Sequence, residues 1–225
     1  VSEVMLQQTG VARVLPKFAA WMKTYPTLSA LSKATLEDVL KLWQGLGYHA
    51  RAKALLDIAK TVKTLPKTHR ELLKLKSIGP YTASAIMAFA YDEFSDYLLE
   101  TNIRTALIEA FHQDETNIHD GALYDDLARL NKNRIVQKIG ARVWYYAFMD
   151  YGVHLKSRRI SHNEKSAHHA KQSPYEGSVR QLRAKVLFAI THKEKLPDDD
   201  RASEVIEQLV KEGYLLKKGR KYSIS

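Results

Sequence analysis

Residues 72–86, Leu72-Leu73-Lys74-Leu75-Lys76-Ser77-Ile78-Gly79-Pro80-Tyr81-Thr82-Ala83-Ser84-Ala85-Ile86, decide how the chain is read. An apolar helix end runs into a tight turn at Ile78-Gly79-Pro80, and a second helix of small residues opens at once. A turn that opens a helix directs backbone N–H groups outward, where they bind phosphate. Lys74 and Lys76 flank it with positive charge. An ordinary connection between two helices has the same pattern, so the segment alone leaves both readings open.

Outward from this hairpin the pattern stays helical. Apolar residues recur at three- and four-residue spacing in Val14–Met22, Val39–Trp43, Ala54–Val62, Ala83–Ala90, Ile103–Phe111 and Trp144–Met149. Short breaks carry turn residues, among them Tyr25-Pro26-Thr27, Gly45-Leu46-Gly47 and Leu65-Pro66. This predicts an all-α domain over 1–155. Residues 156–178 are polar, basic and without period, and read as a linker or exposed loop. Beyond them, helices are expected over Val179–His192 and Arg201–Glu212. Residues Tyr214–Ser225 then alternate around Lys217-Lys218-Gly219-Arg220, a hairpin turn, so 179–225 reads as a small winged-helix-like module. The chain opens at Val1 inside a helical pattern, and further N-terminal sequence is expected before it.

Composition narrows the function. Of 225 residues, 35 are Lys or Arg, 25 are Asp or Glu, nine are His and none is Cys; the formal charge is +10. The absence of cysteine excludes disulfides, thiolate–zinc sites, a cysteine nucleophile and any cysteine-ligated iron–sulfur cluster. No run of eighteen apolar residues and no signal-peptide pattern occurs, so a soluble cytoplasmic protein, nucleoid-associated and without membrane, is expected. The excess of charge points to nucleic acid. It is uneven: residues 1–150 carry 19 basic and 16 acidic groups, a net +3, and residues 151–225 carry 16 and 9, a net +7.

Leu-x-x-Ile-Gly-Pro-Tyr-Thr-Ala, at 75–83, resembles the helix-hairpin-helix of the DNA glycosylase superfamily that includes endonuclease III. Val1-Ser2-Glu3-Val4-Met5-Leu6-Gln7-Gln8-Thr9 and Leu42-Trp43-Gln44-Gly45-Leu46-Gly47-Tyr48-His49-Ala50-Arg51-Ala52 resemble its adenine DNA glycosylase (MutY) branch, and the likeness runs in order from 1 to about 155. The resemblance implies the helix-hairpin-helix glycosylase fold, a duplex DNA substrate containing a mispaired adenine, and a monomer. It departs at the hairpin, where the family's Gly-x-Gly is Ser77-Ile78-Gly79, so a slightly distorted turn is expected. Lys76, Ile78 and Gly79 are then the turn's DNA contacts.

Breaking a glycosidic bond needs a proton for the leaving base and a carboxylate for the oxocarbenium-like sugar. The resemblance assigns the first role to Glu3, whose pKa an apolar pocket beside Val4, Met5 and Leu6 must raise. The second carboxylate falls on Glu100 in Leu98-Leu99-Glu100-Thr101-Asn102-Ile103-Arg104, where the family has aspartate. A misplacement of about 1 Å can cost on the order of 100-fold in rate. Read by itself, Glu100 is equally an acid favoured at a helix N-terminus. Asn102 matches the family's asparagine and would hold a carboxylate or water. Tyr81 stands where bifunctional relatives carry a Schiff-base lysine, which implies a monofunctional enzyme with Tyr81 at the active site.

Extruding a nucleotide leaves a gap. The resemblance makes Gln8 and Tyr48 the wedge near the opposite base, 8-oxoguanine; Tyr48 also reads as a core ring beside Trp43. Most members bind an iron–sulfur cluster after the helix that ends near Asp150, and this chain has no cysteine there, so no cofactor is expected. Lys156, Arg158, Arg159, Lys165 and Lys171 would meet phosphates directly. His154, His162, His168 and His169 lack metal-ligand spacing, and no metal is expected. The tail is shorter than the nucleotide-hydrolase-like domain of full-length bacterial members, and Lys217, Lys218, Arg220 and Lys221 are either further DNA contacts or a solvated hairpin. The leading expectation is a clusterless adenine DNA glycosylase of base excision repair. A mismatch thymine or uracil glycosylase and a non-catalytic DNA- or damage-binding protein are the alternatives.

Overall fold

A computed structural model describes residues 1–168, 174–219 and 221–225. In chain order the helices are α1 (Ser2–Leu6), α2 (Val11–Thr24), α3 (Leu28–Ser32), α4 (Leu36–Trp43), α5 (Ala50–Thr61), α6 (His69–Leu72), α7 (Pro80–Tyr91), α8 (Thr101–Phe111), α9 (Asp120–Asn131), α10 (Arg134–Ile139), α11 (Ala141–Ser157), α12 (Val179–His192) and α13 (Ala202–Lys211). An antiparallel hairpin of β1 (Leu215–Lys218) and β2 (Lys221–Ile224) follows, pairing Leu215 with Ile224 and Lys218 with Lys221. The predicted helices and the terminal hairpin are thus present. Among the described residues, no helix is long and apolar enough to cross a membrane.

Local chemistry explains where helices begin. Thr27, Thr35, Thr68 and Ser178 each accept a backbone N–H three residues on, and Asn133 caps α10 by accepting from Ile135, two residues on. The Thr35 and Thr68 hydroxyls also donate to the Asp38 and Glu71 carboxylates, which holds each capping oxygen in place.

Two compact units form, one of Val1–Leu65 with Gln172–Ser225, the other of Pro66–Lys171. These boundaries differ from those expected at 155 and 178. The reason is packing: the tail shares a unit with the N-terminal helices, with Tyr214 and Leu215 buried and the Lys53 ammonium over the Tyr214 ring. An isolated two-stranded hairpin is marginal in water, and these two anchors supply what it lacks.

The first unit is centred on Trp21 and Trp43, both buried and meeting edge-on at 5.7 Å. Trp43 Nε1 donates to the Gly47 carbonyl at 2.8 Å, which fixes the start of the 45–49 turn. In the second unit, Leu98, Ile103, Leu107, Ile108, Leu123, Leu127 and Tyr145 make the core. The Tyr145 hydroxyl donates to the Ser95 carbonyl at 2.7 Å and accepts from Asn131 Nδ2 at 3.0 Å; burial pushes it up to about 12, so it stays a neutral donor.

The axis of the second unit is the crossing of α8 by α11. Gly152 lies directly on the backbone of Asn102, where a Cβ would fall 2.2 Å from the Asn102 carbonyl oxygen. Only a residue without a side chain allows this approach. Gly152→Ala is expected to force the helices apart and lower stability by about 3 kcal/mol, read by urea denaturation.

Candidate active site and nucleic-acid interface

At the hairpin, Ser77 adopts the left-handed conformation (φ 61°), while Gly79 is extended (φ −87°, ψ 176°) and precedes Pro80 at the first turn of α7. A left-handed serine carries roughly 1–2 kcal/mol of strain. Ile78, expected among the DNA contacts, is 8% exposed, and its N–H donates to the Leu75 carbonyl at 3.2 Å, closing the turn. Gly79 is exposed and a Cβ there would meet nothing within 4 Å. Lys76 is exposed beside it.

Glu100 is the N-cap of α8. Its Oε1 accepts from the Asn102 and Ile103 N–H groups at 2.7 and 2.9 Å, and Thr101 Oγ1 donates to Oε2 at 3.2 Å. The helix-terminus reading of this residue is therefore realised, and the capping fixes where the carboxylate stands. Asn102 Oδ1 accepts from Lys156 Nζ at 2.6 Å. Lys156, expected on phosphate, instead turns back from α11 onto α8, because the Gly152 crossing brings its stem within reach of Asn102. Tyr81, in the first turn of α7, is half-buried against the same core.

In the first unit the decisive residue is one to which the sequence pattern assigned no role. Arg51 is 8% exposed, yet no carboxylate among the described residues pairs with it. Its Nη1 donates to the carbonyls of Val4 (2.8 Å), Met5 (3.4 Å) and Gln7, and its Nη2 to those of Leu46 (2.9 Å) and Gly47 (3.2 Å). The guanidinium also faces the Trp43 and Tyr48 rings at 5.5 and 5.2 Å. One side chain thus ties the end of α1 to the 45–49 turn. The sequence signal was a lone arginine inside Ala50-Arg51-Ala52, on a helix whose neighbours are apolar.

The clamp sets the residues around it. Glu3, on α1, makes no hydrogen bond or ion pair among the described residues, and burial pushes its carboxyl up from the usual range, in the direction a proton donor needs. Gln8 and Tyr48 both take left-handed backbone conformations (φ 56° and 45°), and Tyr48 is 40% exposed, which sets aside its reading as a core ring. His49 is lowered to about 4 by burial, with Arg183 and Arg51 adding to the effect, so it is neutral near pH 7.

Residues 158–168 do not form a free loop. Ile118 and Ser166 make a parallel bridge, Arg104 bonds both Asp120 and Ser166 Oγ, and His162 Nε2 bonds Glu109. Lys165, expected on phosphate, donates to the Gln113 carbonyl. Polar staples thus hold the segment to α8 and α9. Arg158 and Arg159 are exposed. No cluster of metal-ligating residues occurs among the described residues. His169, Lys171 and Arg220 lie outside them.

The helix-hairpin-helix, the capped carboxylate and the half-buried acid all fall within one matched segment. Residues 1–177 match the HhH-GPD superfamily base excision DNA repair proteins, and the chain belongs to that superfamily. Curated relatives carry the name adenine DNA glycosylase. That of Mycolicibacterium smegmatis is 42% identical over 117 residues, covering 50% of this chain and 40% of that protein. That of Buchnera aphidicola is 38% identical over 116 residues (49% and 33%), and that of Rattus norvegicus 44% over 99 residues (41% and 19%). The chain therefore spans less than half the length of these relatives.

Two outcomes follow from the geometry. Arg51→Lys, which cannot reach five carbonyls, should destabilise the protein by at least about 3 kcal/mol in urea denaturation. Glu100→Ala should lose about 1 kcal/mol of the α8 cap, whereas Glu100→Asp, a better N-cap residue, should keep or exceed wild-type stability.

Proposed function

We propose that this protein is a monofunctional DNA glycosylase that hydrolyses the N-glycosidic bond of adenine mispaired with 8-oxoguanine or guanine, after extruding the nucleotide from the duplex. The observation that carries the reading is the Glu3 carboxyl, raised by burial on the helix that opens the matched superfamily segment. The names of the curated relatives support adenine as the base.

In this mechanism the protonated Glu3 donates to the leaving adenine as the C–N bond breaks and its electron pair departs with the base. The Glu100 carboxylate, oriented by its two backbone donors, stabilises the positive charge that develops on the sugar. Water then attacks the anomeric carbon and returns its proton to Glu3, leaving an abasic site. Tyr81 offers no amine for a Schiff base, so the strand is left intact. Asn102, held by Lys156, is the polar neighbour that orients water. Gln8 and Tyr48 enter the gap in the duplex. Lys76, Gly79, Arg158 and Arg159 meet its phosphates. The protein works as a monomer on duplex DNA, without an iron–sulfur cluster, in the compartment that holds the genome.

The test is single-turnover adenine release from duplexes containing A:8-oxoguanine and A:G, with alkali revealing abasic sites. Wild-type protein should release adenine, and release from neither duplex overturns the reading. Glu3→Gln should lower the rate about 100- to 10,000-fold. Because Glu3 acts protonated and its pKa lies above the usual value, the wild-type rate should stay level past the ordinary glutamate range of about 4.3 and fall as pH rises through the raised pKa.

A further inference from the structure

Residues 178–225 lie beyond the superfamily match and carry α12, α13 and the β1–β2 hairpin. Contacts from two helices place the hairpin within the first unit. On α12, Arg180 donates to the Tyr48 hydroxyl at 2.6 Å, beside the cavity of about 530 Å³ that Gln8 and Tyr48 border. Arg183, further along α12, pairs with Glu212 at 3.0 and 2.5 Å, just before β1. On α5, the Lys53 ammonium lies 5.9 Å from the centre of the Tyr214 ring. The base of the hairpin thus stands about one helical turn along either helix from the Tyr48 turn. At about 3.4 Å per residue, the strands carry the tip on the order of 10 Å from that base.

The C-terminal segment sorts its charges. Cross-strand register puts Leu216, Lys218, Lys221 and Ser223 on one exposed face of the hairpin, and Lys217 on the other, over the Tyr222 ring. Lys218 and Lys221 are direct partners, and like charges directly opposite destabilise a hairpin. No carboxylate among the described residues pairs with either. The acids stand elsewhere: Glu212 and Asp199 are held by Arg183 and Arg201, while Glu204 and Glu207 are exposed on α13. In a helix-turn-helix arrangement the second helix enters the major groove. Here that helix would bring two carboxylates towards the phosphates, whereas the hairpin brings two ammonium groups.

We propose that the β1–β2 hairpin is a second DNA-binding element, a wing whose Lys218 and Lys221 grip the sugar–phosphate backbone beside the lesion, with α13 outside the groove. The proposal rests on the glycosylase reading for its duplex partner. The tip stands within the ~34 Å of one duplex turn from Tyr48, so wing and wedge engage the same stretch of DNA. Contacts to phosphate carry no base information, and the wing adds affinity to every sequence alike.

Salt dependence tests the wing. Fluorescence anisotropy gives the affinity of the full chain for an undamaged duplex between 50 and 200 mM salt. The double variant Lys218→Gln/Lys221→Gln should lower the slope of log affinity against log salt by about 2, and Lys218→Arg/Lys221→Arg should keep it. Its melting temperature should stay level or rise, because a like-charge pair is removed. An unchanged slope overturns the proposal, and so does a slope that falls only together with the melting temperature. Glu204→Gln/Glu207→Gln should leave the slope as it is; a rise of about 2 puts α13 on the DNA in place of the wing and overturns the assignment. Adenine release plays no part in this measurement, so failure of the glycosylase reading appears separately, in the cleavage assay.

Discussion

Arg51 holds a full charge away from water with backbone carbonyls in place of a carboxylate, and the first unit is arranged around that fact. A buried guanidinium is costly unless its donors are met. Here the carbonyls at the end of α1 and in the 45–49 turn meet both Nη groups, Nε has no partner among the described residues, and burial lowers the arginine's pKa without removing its charge. Those two backbone segments are far apart in sequence, and the side chain makes them one piece. The conformations of Gln8 and Tyr48, the cavity between them and the setting of Glu3 on α1 all depend on it. The string Gly45-Leu46-Gly47-Tyr48-His49-Ala50-Arg51 is thus a clamp with its own acceptors built in.

The second unit reaches the same end by a different route. Its constraint is steric, the absence of a side chain at Gly152, which lets α11 rest on the Asn102 backbone. From that contact follow the reach of Lys156 to Asn102 and the presentation of Glu100 at the start of α8. A glutamate cap is one methylene longer than the favoured aspartate, and two backbone donors hold it in place. The cap orients the carboxylate and leaves Oε2 with acceptor capacity beyond the Thr101 bond.

Charge counted along the sequence is not charge available to a polyanion. Lys156 and Lys165 bond inward, and Arg183 and Arg201 pair with Glu212 and Asp199. Staples from Arg104 and His162 keep residues 158–168 on α8 and α9. The positive excess beyond residue 150 therefore divides into an internal part, which orders the segment, and an exposed part that includes Arg158, Arg159, Lys185, Lys193, Lys195 and the hairpin's Lys217, Lys218 and Lys221.

The sequence by itself determined the helical class, the terminal hairpin and the superfamily, and it singled out Glu3 and Glu100 as candidate acids. Periodicity, capping threonines and the Ile78-Gly79-Pro80 turn are local features, and local features are legible without coordinates. Only the tertiary structure decided that Ile78 is buried and its N–H already paired, that Lys156 serves Asn102, and that the tail folds with the N-terminal helices. It also revealed Arg51 as the clamp and brought Arg180 to Tyr48, across 132 positions of chain. A cation's partner is set by where the chain returns in space. Residue type and spacing carry no record of that return, so the same arginine or lysine reads alike whether it meets a phosphate, a carbonyl or a tyrosine.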